Sequence, residues 1–284
     1  MKEAKMAGVK KFMGKFDGVL LVSDFDDTIY GSQHEIGGRN RSALCSFMEQ
    51  GGRFTVATGR AHRTFAAYAS AIPMNAPSIL SNGSVLYDFE TEELLEQTFL
   101  PEKSVEDFKA VCTQFPQLGF EAYHGEEIYA YHPNWVTDAH MKKVGTDYTA
   151  VANIEDIPLP WTKAIFQQEN ELLLPVQPWF LERFSYDYEA IFSNPVYLEI
   201  TAKGSSKGGM VKRLARRLGI EPRNIYCVGD NQNDIPMLEC SAIPFAPSDC
   251  AQTVKDFGAR LVCSCDDGVM GDILEILSEI YTEK

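Results

Sequence analysis

The sequence of 284 residues lacks any long hydrophobic run and any apolar leader. No apolar stretch approaches the roughly 20 residues that a helix needs to cross a bilayer, and the N-terminus has no apolar core of a signal peptide. We therefore expect a cytoplasmic protein that does not associate with membranes. The opening segment, residues 1–16, contains five lysines around an amphipathic pattern. That pattern would fit a helix on a membrane surface, but for so short a segment we expect an extension packed on its own domain or a mobile tail.

Positive charge is also scarce, since 26 Lys and Arg face 40 Asp and Glu and the formal net charge is -14. Such an excess of negative charge repels the phosphates of nucleic acids, so nucleic acid is not an expected partner. The seven cysteines include no CxxC pair. Cys263 and Cys265 cannot complete a zinc site by themselves, because no second thiol pair and no histidine lies near them in the sequence. We expect all seven to be reduced thiols.

Several signatures of nucleotide-binding and hydrolytic enzymes are absent. The sequence contains no Walker A motif, no dinucleotide-binding fingerprint and no G-x-S-x-G elbow. Nucleotide-driven, hydride-transfer and serine-hydrolase reactions therefore lose their usual sequence signals. An EF-hand over residues 24–35 is excluded as well, because its sixth position requires glycine and is occupied by Ile29.

Short apolar runs that end abruptly in polar residues recur along both ends of the chain. Four of them are rich in β-branched residues and are predicted to be buried parallel strands: residues 18–24, 53–60, 77–83 and 224–230. Helical patterns alternate with these runs. Two further strands and a terminal amphipathic helix are predicted at residues 242–246, 259–263 and 269–281. This alternation predicts a doubly wound, mainly parallel, Rossmann-like α/β sheet.

The middle of the chain, residues 87–189, differs from both ends in composition and in periodicity. It is richer in aromatic residues, prolines and acidic residues, and its periodicities are short and mixed. We interpret it as an inserted α+β domain that determines specificity, while residues 1–86 and 190–284 form the catalytic core. In the alternative, a single large domain, strands from the middle would extend the main sheet. Four aromatic residues of the insert are predicted to lie in its own core: Tyr123, Tyr129, Tyr131 and Trp135.

Polar residues at the ends of the predicted strands form the candidate site. The loops at the carboxyl ends of the strands converge in an open parallel sheet, so these residues should meet. They are Asp24, Asp26, Thr58, Ser81, Asn82, Asp230, Asn233 and Asp234. Four carboxylates cannot remain ionised side by side without a cation, and oxygen ligands on short loops favour Mg²⁺ over Zn²⁺. The sequence therefore predicts a Mg²⁺ site at this edge of the sheet.

Four motifs around these residues occur in order along the chain. They are Asp24-Phe25-Asp26-Asp27-Thr28, Thr58 within Ala57-Thr58-Gly59-Arg60, Lys207, and Gly229-Asp230 with Asn233-Asp234. Asn82-Gly83 and Asp267-Gly268-Val269 accompany them. In this combination the sequence resembles the phosphatases of the haloacid dehalogenase (HAD) superfamily, specifically the Cof-type branch of subfamily IIB with a C2 cap. Asp27 departs from the pattern of that family, in which glycine is commonest at this position.

The resemblance implies a role for each of these residues. Asp24 is expected to be the nucleophile that receives the phosphoryl group, and Asp26 the general acid and base. Mg²⁺ is expected on Asp24, Asp230 and the main-chain carbonyl of Asp26, with Asp234 supporting the metal site. Seven residues are expected to bind the phosphate: Phe25 through its amide, Thr58, Gly59, Arg60, Asn82, Lys207 and Asn233. Two of them, Thr58 and Lys207, are also expected to be catalytic.

The function implied by the resemblance is Mg²⁺-dependent hydrolysis of a small phosphate monoester, and a sugar or polyol phosphate is the expected substrate. Two alternatives stay open at this point. The aspartyl phosphate could pass its phosphoryl group to a second hydroxyl, as in a phosphomutase, or the chain could be a binding protein that keeps the fold without catalysis. Arg60 is also open, between a substrate contact and a salt bridge that holds its loop. The motifs fix neither the metabolite nor the oligomeric state.

Overall fold

The computed structural model describes residues 14–282, so most of the lysine-rich opening segment lies outside the described residues. The first part of the chain builds one half of the core. Its elements are β1 Leu20–Ser23, α1 Gly38–Glu49, β2 Arg53–Val56, α2 His62–Ala69, β3 Ser78–Leu80, β4 Val85–Asp88 and β5 Glu93–Gln97. Phe16 precedes β1 and is fully buried, with its ring 5.0 Å from that of Phe47 in α1.

The middle of the chain follows with an alternation of helices and strands. Its elements are α3 Ser104–Gln114, β6 Gly119–His124, β7 Glu127–Tyr131, α4 Trp135–Val144, β8 Thr149–Val151, β9 Lys163–Gln167, α5 Asn170–Leu173, α6 Val176–Phe184, β10 Tyr188–Asn194 and β11 Tyr197–Ala202. The last part returns to the core. Its elements are α7 Lys207–Leu218, β12 Ile225–Val228, α8 Ile235–Leu238, β13 Pro244–Ala246, α9 Gln252–Phe257, β14 Arg260–Leu261 and α10 Val269–Ile280.

The core contains a five-stranded parallel sheet in the order β14-β13-β12-β1-β2. Helices pack on both of its faces, because successive side chains of a strand point to opposite sides. Leu21 of β1 joins a cluster with α1 and α10, whereas Leu20 and Val22 join a cluster with α7. The predicted doubly wound, mainly parallel α/β sheet is confirmed. A parallel bridge from Ala57 to Ile79 connects this sheet to an antiparallel meander of β3, β4 and β5.

The inserted region forms a second sheet of six strands in the order β10-β11-β9-β6-β7-β8. Its pairs are antiparallel except for the parallel pair of β7 and β8. On one face, Phe166 and Leu198 pack with Phe108 of α3 and Phe180 of α6 in an apolar cluster. The alternating residues of the same strands point the other way, so this sheet has a second, more polar face.

The predicted boundaries of the insert need correction. The boundary at 86/87 falls inside β4, and the β4–β5 hairpin packs on the core, since Leu86 lies in the apolar cluster under α7. The boundary at 189/190 falls inside β10, and both β10 and β11 belong to the six-stranded sheet. Alternating apolar residues predict a strand but do not say which of two sheets it joins, and this is why both boundaries were misplaced. The chain crosses between the domains at Thr98 and Ser205, whose hydroxyl oxygens are 2.7 Å apart.

One of the four aromatic predictions in the insert was wrong. Tyr123 is buried, and Tyr129 and Tyr131 are half-buried against the insert's apolar cluster. Trp135, in contrast, is 58% exposed. It is the first residue of α4, and the buried face of that helix begins with the next residue, Val136, so the indole points away from the core.

Two expectations from composition concern the whole described chain. All seven cysteines are free thiols in the structure. Within residues 14–282 no helix combines the length and the apolar character that a membrane span requires.

Candidate active site

The carboxyl ends of four strands converge at one edge of the core, as the sequence predicts. Asp24 follows β1, Thr58 follows β2, Asn82 follows β3 and Asp230 follows β12. Backbone hydrogen bonds join the loops to each other: the Asp24 amide donates to the Val228 carbonyl at 2.9 Å, and the Asn82 amide donates to the Thr58 carbonyl at 3.0 Å. The site is therefore fixed by the sheet itself and by the first residues after each strand.

Lys207 lies at the centre of the site. Its ammonium group donates to Asp24 Oδ1 at 2.5 Å and to Asp234 Oδ1 at 2.6 Å, and the residue is only 1% exposed. Burial alone would lower the pKa of Lys207, but the two carboxylates outweigh it and raise that pKa above its ordinary value. Lys207 is the first residue of α7, and Ser206 caps the helix by accepting from the Gly209 amide at 3.1 Å. The helix start therefore fixes a permanent cation beside the expected nucleophile.

The carboxylates around Lys207 carry more negative charge than this one cation offsets. Burial raises the pKa of Asp24 well above its ordinary value, against the effect of Lys207, and the neighbouring Asp234 and Asp230 raise it further. Burial and Asp234 likewise raise the pKa of Asp230 to about 7. Both shifts mean that the ionised forms need an additional positive charge.

The donor set fits a divalent cation of the Mg²⁺ type. Carboxylate oxygens of Asp24, Asp230 and Asp234 all lie within 4.8 Å of one another, and the set contains only oxygen. Both carboxylate oxygens of Asp234 already accept hydrogen bonds from the protein. Oδ1 accepts from Lys207, and Oδ2 accepts from the amides of Asp230 at 2.9 Å and Asn231 at 3.0 Å. Asp234 is thus suited to supporting the loop, and Asp24 and Asp230 are better placed to offer oxygens to a metal. Thr28 donates to Asp230 Oδ1 at 3.0 Å and so orients that carboxylate.

Asp26, the expected general acid, is held by Arg60. The guanidinium donates to both carboxylate oxygens of Asp26, at 2.6 Å and 2.8 Å, in a bidentate pair. The cation also lies over the rings of Phe25 and Tyr68, 5.2 Å and 4.7 Å from their centroids. Of the two possibilities for Arg60, the structure contains the salt bridge, while Arg60 still lines the cavity of the site.

The departure at Asp27 has a conformational explanation. Asp27 has a φ of 59°, in the left-handed region that favours glycine, and its amide donates to the Tyr30 carbonyl at 3.0 Å. Aspartate tolerates this region better than most residues with a Cβ atom. The turn that follows β1 is therefore preserved, and the additional carboxylate lines the cavity.

The remaining predicted phosphate ligands surround the same space. Thr58 is 1% exposed, and Asn233 Nδ2 donates to Asn82 Oδ1 at 3.1 Å. Asn82 Nδ2 is buried and has no hydrogen-bond partner within residues 14–282. Gly83 has a φ of 99°, and a Cβ atom there would lie 2.2 Å from the Ser206 carbonyl oxygen. This close approach explains the Asn-Gly pair, because it joins the end of β3 to the start of the helix that carries Lys207.

A cavity of about 120 Å³ lies between the core and the inserted domain. The predicted site residues line it from the core, except for Phe25, Ser81, Asn82, Lys207 and Asp234. The residues that line it from the insert were not predicted: His140, Lys143, Val144, Lys163, Ser193, Asn194, Tyr197 and Glu199. They belong to no motif. The only sequence signal was a charged residue inside an apolar strand, as at Lys163 in β9 and Glu199 in β11.

Comparison with known proteins agrees with this geometry. Residues 21–270 match the family described as haloacid dehalogenase-like hydrolase. The chain is similar to the putative phosphatase YxeH of Bacillus subtilis (strain 168), with 25% identity over 230 residues that cover 78% of this chain and 83% of that protein. It is also similar to the pyridoxal phosphate phosphatase YbhA of Escherichia coli (strain K12), with 23% identity over 83% of this chain and 90% of that protein.

A solved structure shares the fold. It is that of the HAD subclass IIB sugar phosphatase BT4131, which superimposes with a TM-score of 0.77 at 21% identity and covers 91% of this chain and 98% of its own. The resemblance drawn from the four motifs, including the Cof-type branch, is confirmed. The chain therefore belongs to the haloacid dehalogenase-like hydrolase family.

Proposed function

We propose that this phosphatase hydrolyses a small phosphate monoester in two steps, through a phosphoryl group carried by Asp24, with Mg²⁺ bound by Asp24, Asp230 and the main-chain carbonyl of Asp26. The observation that carries the proposal is the buried contact of Lys207 with Asp24 beside Asp230, where one cation faces several carboxylates. Mg²⁺, when bound, offsets the repulsion between a carboxylate nucleophile and a phosphate dianion.

In the first step, an oxygen of Asp24 forms a bond to phosphorus and the bond from phosphorus to the leaving oxygen breaks. Lys207 and Thr58 hold the oxygens of the transferring group, on which negative charge is spread. Asp26 gives a proton to the leaving alcohol. Because Arg60 binds both oxygens of Asp26, this proton transfer requires the carboxyl group to turn from Arg60 toward the cavity.

In the second step, water attacks the phosphorus of the aspartyl phosphate and Asp26, now ionised, takes a proton from it. The bond between phosphorus and Asp24 breaks, and inorganic phosphate and free Asp24 result. The inserted domain covers the site and limits the entry of other water. The overall reaction consumes one water molecule for each ester.

The size and lining of the cavity support the proposed substrate class. About 120 Å³ is small compared with the roughly 300–1,000 Å³ of common ligand pockets, and most of the lining residues are polar. Both features favour a small hydroxylated compound such as a sugar or polyol phosphate. Two of the similar proteins, a sugar phosphatase and a pyridoxal phosphate phosphatase, are also named for small phosphorylated substrates.

The proposal is tested by measuring phosphate release from sugar, polyol, nucleotide and cofactor phosphates, and from p-nitrophenyl phosphate, with and without Mg²⁺. We expect Mg²⁺-dependent release, and we expect Asp24→Asn to reduce it by at least about 10³-fold, because the amide keeps the shape of the side chain but is not a nucleophile. Glu182→Gln, at an exposed position of the insert, serves as the control variant. Near-normal release by Asp24→Asn would contradict the mechanism.

A further inference from the structure

A buried ion pair of the inserted domain faces the catalytic cavity. Lys163 of β9 and Glu199 of β11 lie on the polar face of the six-stranded sheet, with Lys163 Nζ 2.8 Å from Glu199 Oε2. They are 3% and 7% exposed, and both line the cavity. A buried ion pair rarely stabilises a fold more than apolar residues of similar size would. A function in the cavity is therefore the better explanation of this pair.

The pair is fixed relative to the phosphate-binding loop of the core. Lys163 Nζ also donates to the Gly59 carbonyl oxygen at 2.8 Å, and it lies 4.6 Å from the centroid of the Tyr123 ring. Gly59 directly follows Thr58, an expected phosphate ligand. The carboxylate of Glu199 is thus held at a defined place beside the phosphate site.

The second carboxylate oxygen of Glu199 is directed toward that loop. Glu199 Oε1 would lie 3.1 Å from a Cβ atom on Gly59. Burial disfavours the charged form of Glu199, but the ammonium of Lys163 outweighs it, and the pKa of Glu199 is lowered. Oε1 is therefore part of an ionised carboxylate and can only accept hydrogen bonds.

A buried donor lies near the same point. Asn82 Nδ2 would be 3.3 Å from that Cβ atom on Gly59. The hydrogen bond between Asn82 and Asn233 uses Asn82 Oδ1, and Asn82 Nδ2 has no hydrogen-bond partner within residues 14–282. Asn82 and Glu199 also line a small cavity of about 10 Å³, close to the roughly 10–15 Å³ that one water-sized group requires. A hydroxyl group can donate to Glu199 and accept from Asn82, whereas a phosphate oxygen would be repelled by Glu199.

We propose that Glu199 is a specificity-determining residue, which accepts a hydrogen bond from a hydroxyl group on the carbon next to the phosphoester carbon of the substrate. The substrates are then alkyl phosphates with a vicinal hydroxyl, as in polyol and sugar phosphates. This inference rests on the proposed phosphatase function and adds to it the residue that selects the leaving group.

The test compares kcat/KM for sn-glycerol 3-phosphate, which has the vicinal hydroxyl, with kcat/KM for n-propyl phosphate, which lacks it. We expect the wild-type enzyme to prefer the hydroxylated ester by about ten- to hundredfold, the range of a hydrogen bond to a charged group. Glu199→Gln should lower this ratio at least fivefold. Glu199→Asp retains the charge and withdraws the oxygens by one methylene, so it should lower the ratio even if Glu199→Gln fails to fold. Glu189→Gln, at a half-buried position of β10 that pairs with Lys203, should keep the wild-type ratio.

Hydrolysis of p-nitrophenyl phosphate separates the two proposals. If the enzyme hydrolyses this ester but shows no preference for the vicinal hydroxyl, or if the Glu199→Asp variant keeps the wild-type ratio, the role of Glu199 is refuted and the phosphatase function stands. If only water occupies the small cavity, the ratio of kcat/KM values will not depend on Glu199, and the role of Glu199 is again refuted. If no ester releases phosphate, both proposals are overturned.

Discussion

At the scale of single residues, Lys207 determines how the neighbouring acids are arranged. It contacts Asp24 and Asp234 at once and is almost completely buried, so neither carboxylate can move without breaking an ion pair in a poorly hydrated site. The arrangement is rigid before any substrate arrives, which reduces the reorganisation that phosphoryl transfer requires. Asp26 differs, because its partner Arg60 lies on the cavity wall and its side chain is 28% exposed. We therefore expect Asp24, the proposed nucleophile, to be held more firmly than Asp26, the proposed proton donor.

We expect Asp26→Asn to be severe for alkyl phosphates, with kcat lowered by about 10²–10⁴-fold, and milder for p-nitrophenyl phosphate. An alkoxide is a poor leaving group and needs a proton in the transition state, whereas p-nitrophenolate leaves without one. Steady-state kinetics on the two esters measures the difference. Asp27→Asn, one residue further along the same turn, is the matched control and should not distinguish them. Equal losses on both esters would argue against Asp26 as the acid.

The residues that the sequence could predict are those that follow strands directly. Asp24, Thr58 and Asp230 each come directly or within two residues after a strand, so their meeting follows from the topology of a parallel sheet. The partner of Asp26 could not be predicted, because Arg60 fits a substrate contact and a salt bridge equally well. The positions of Glu199 and Lys163 in the cavity could not be predicted, because their sheet is built from distant segments of the chain. No local spacing in the sequence indicates that β9 and β11 are neighbours.

At the scale of elements, the loop after β3 and the start of α7 act as one unit. Gly83 has a left-handed φ, and its Cα lies so close to the Ser206 carbonyl that no side chain fits there. Ser206 in turn caps the helix whose first residue is Lys207. The position of Lys207 therefore depends on a contact between two backbones, at a site that the Asn-Gly pair marks in the sequence.

Replacement of Gly83 by alanine should disrupt this unit. We expect Gly83→Ala to lower the free energy of unfolding by about 1–3 kcal/mol, because it adds both a clash and left-handed strain. The rate of phosphate release should fall as well, since Lys207 would be displaced. Urea unfolding and kinetics measure the two effects.

Gly125→Ala separates the two causes. Gly125 also has a left-handed φ, of 57°, but a Cβ atom there would meet no other atom within 4 Å. We expect Gly125→Ala to lose stability through backbone strain alone and to retain its activity. If both variants behave alike, the contact between Gly83 and Ser206 does not position Lys207.

At the scale of the whole molecule, the distribution of charge matters more than its total. The chain carries a net charge of -14, yet Arg60, Lys143 and Lys163 line the same cavity between the domains, and Lys207 lines a smaller cavity beside it. Five carboxylates line the same cavity, those of Asp24, Asp26, Asp27, Glu199 and Asp230, so a phosphate ester meets positive charge only at particular side chains, and the cavity as a whole would need the charge of a bound Mg²⁺. The composition predicted the repulsion of nucleic acid, but only the packing of two domains brings these cations together.

The buried carboxylates predict that Mg²⁺ stabilises the protein more at pH 8 than at pH 5. The pKa of Asp230 is raised from 3.8 to about 7, so between about pH 4 and pH 7 the folded metal-free protein binds more protons than the unfolded chain. The contribution of Asp230 to stability must therefore fall as the pH rises through this range. Mg²⁺ binds the ionised carboxylates and restores the loss.

Thermal unfolding in EDTA and in millimolar MgCl₂, measured from pH 5 to pH 8, tests this expectation. The difference in Tm between the two conditions should grow with pH. Asp230→Asn should flatten the pH dependence in EDTA and remove most of the increase due to Mg²⁺, because it removes the titrating group and a metal ligand together. An increase in Tm that is the same at pH 5 and pH 8 would show that these carboxylates are not the Mg²⁺ site.

The hydroxyl contact of Thr98 with Ser205 has a consequence for the history of the fold. The two points at which the chain leaves and re-enters the core are adjacent, so a short turn could close the core if the whole insert were absent. A single genetic insertion could therefore have added the second sheet without changing the register of any core strand. Lineages could exchange one insert for another, and thereby acquire new substrates, while they inherited an unaltered catalytic edge.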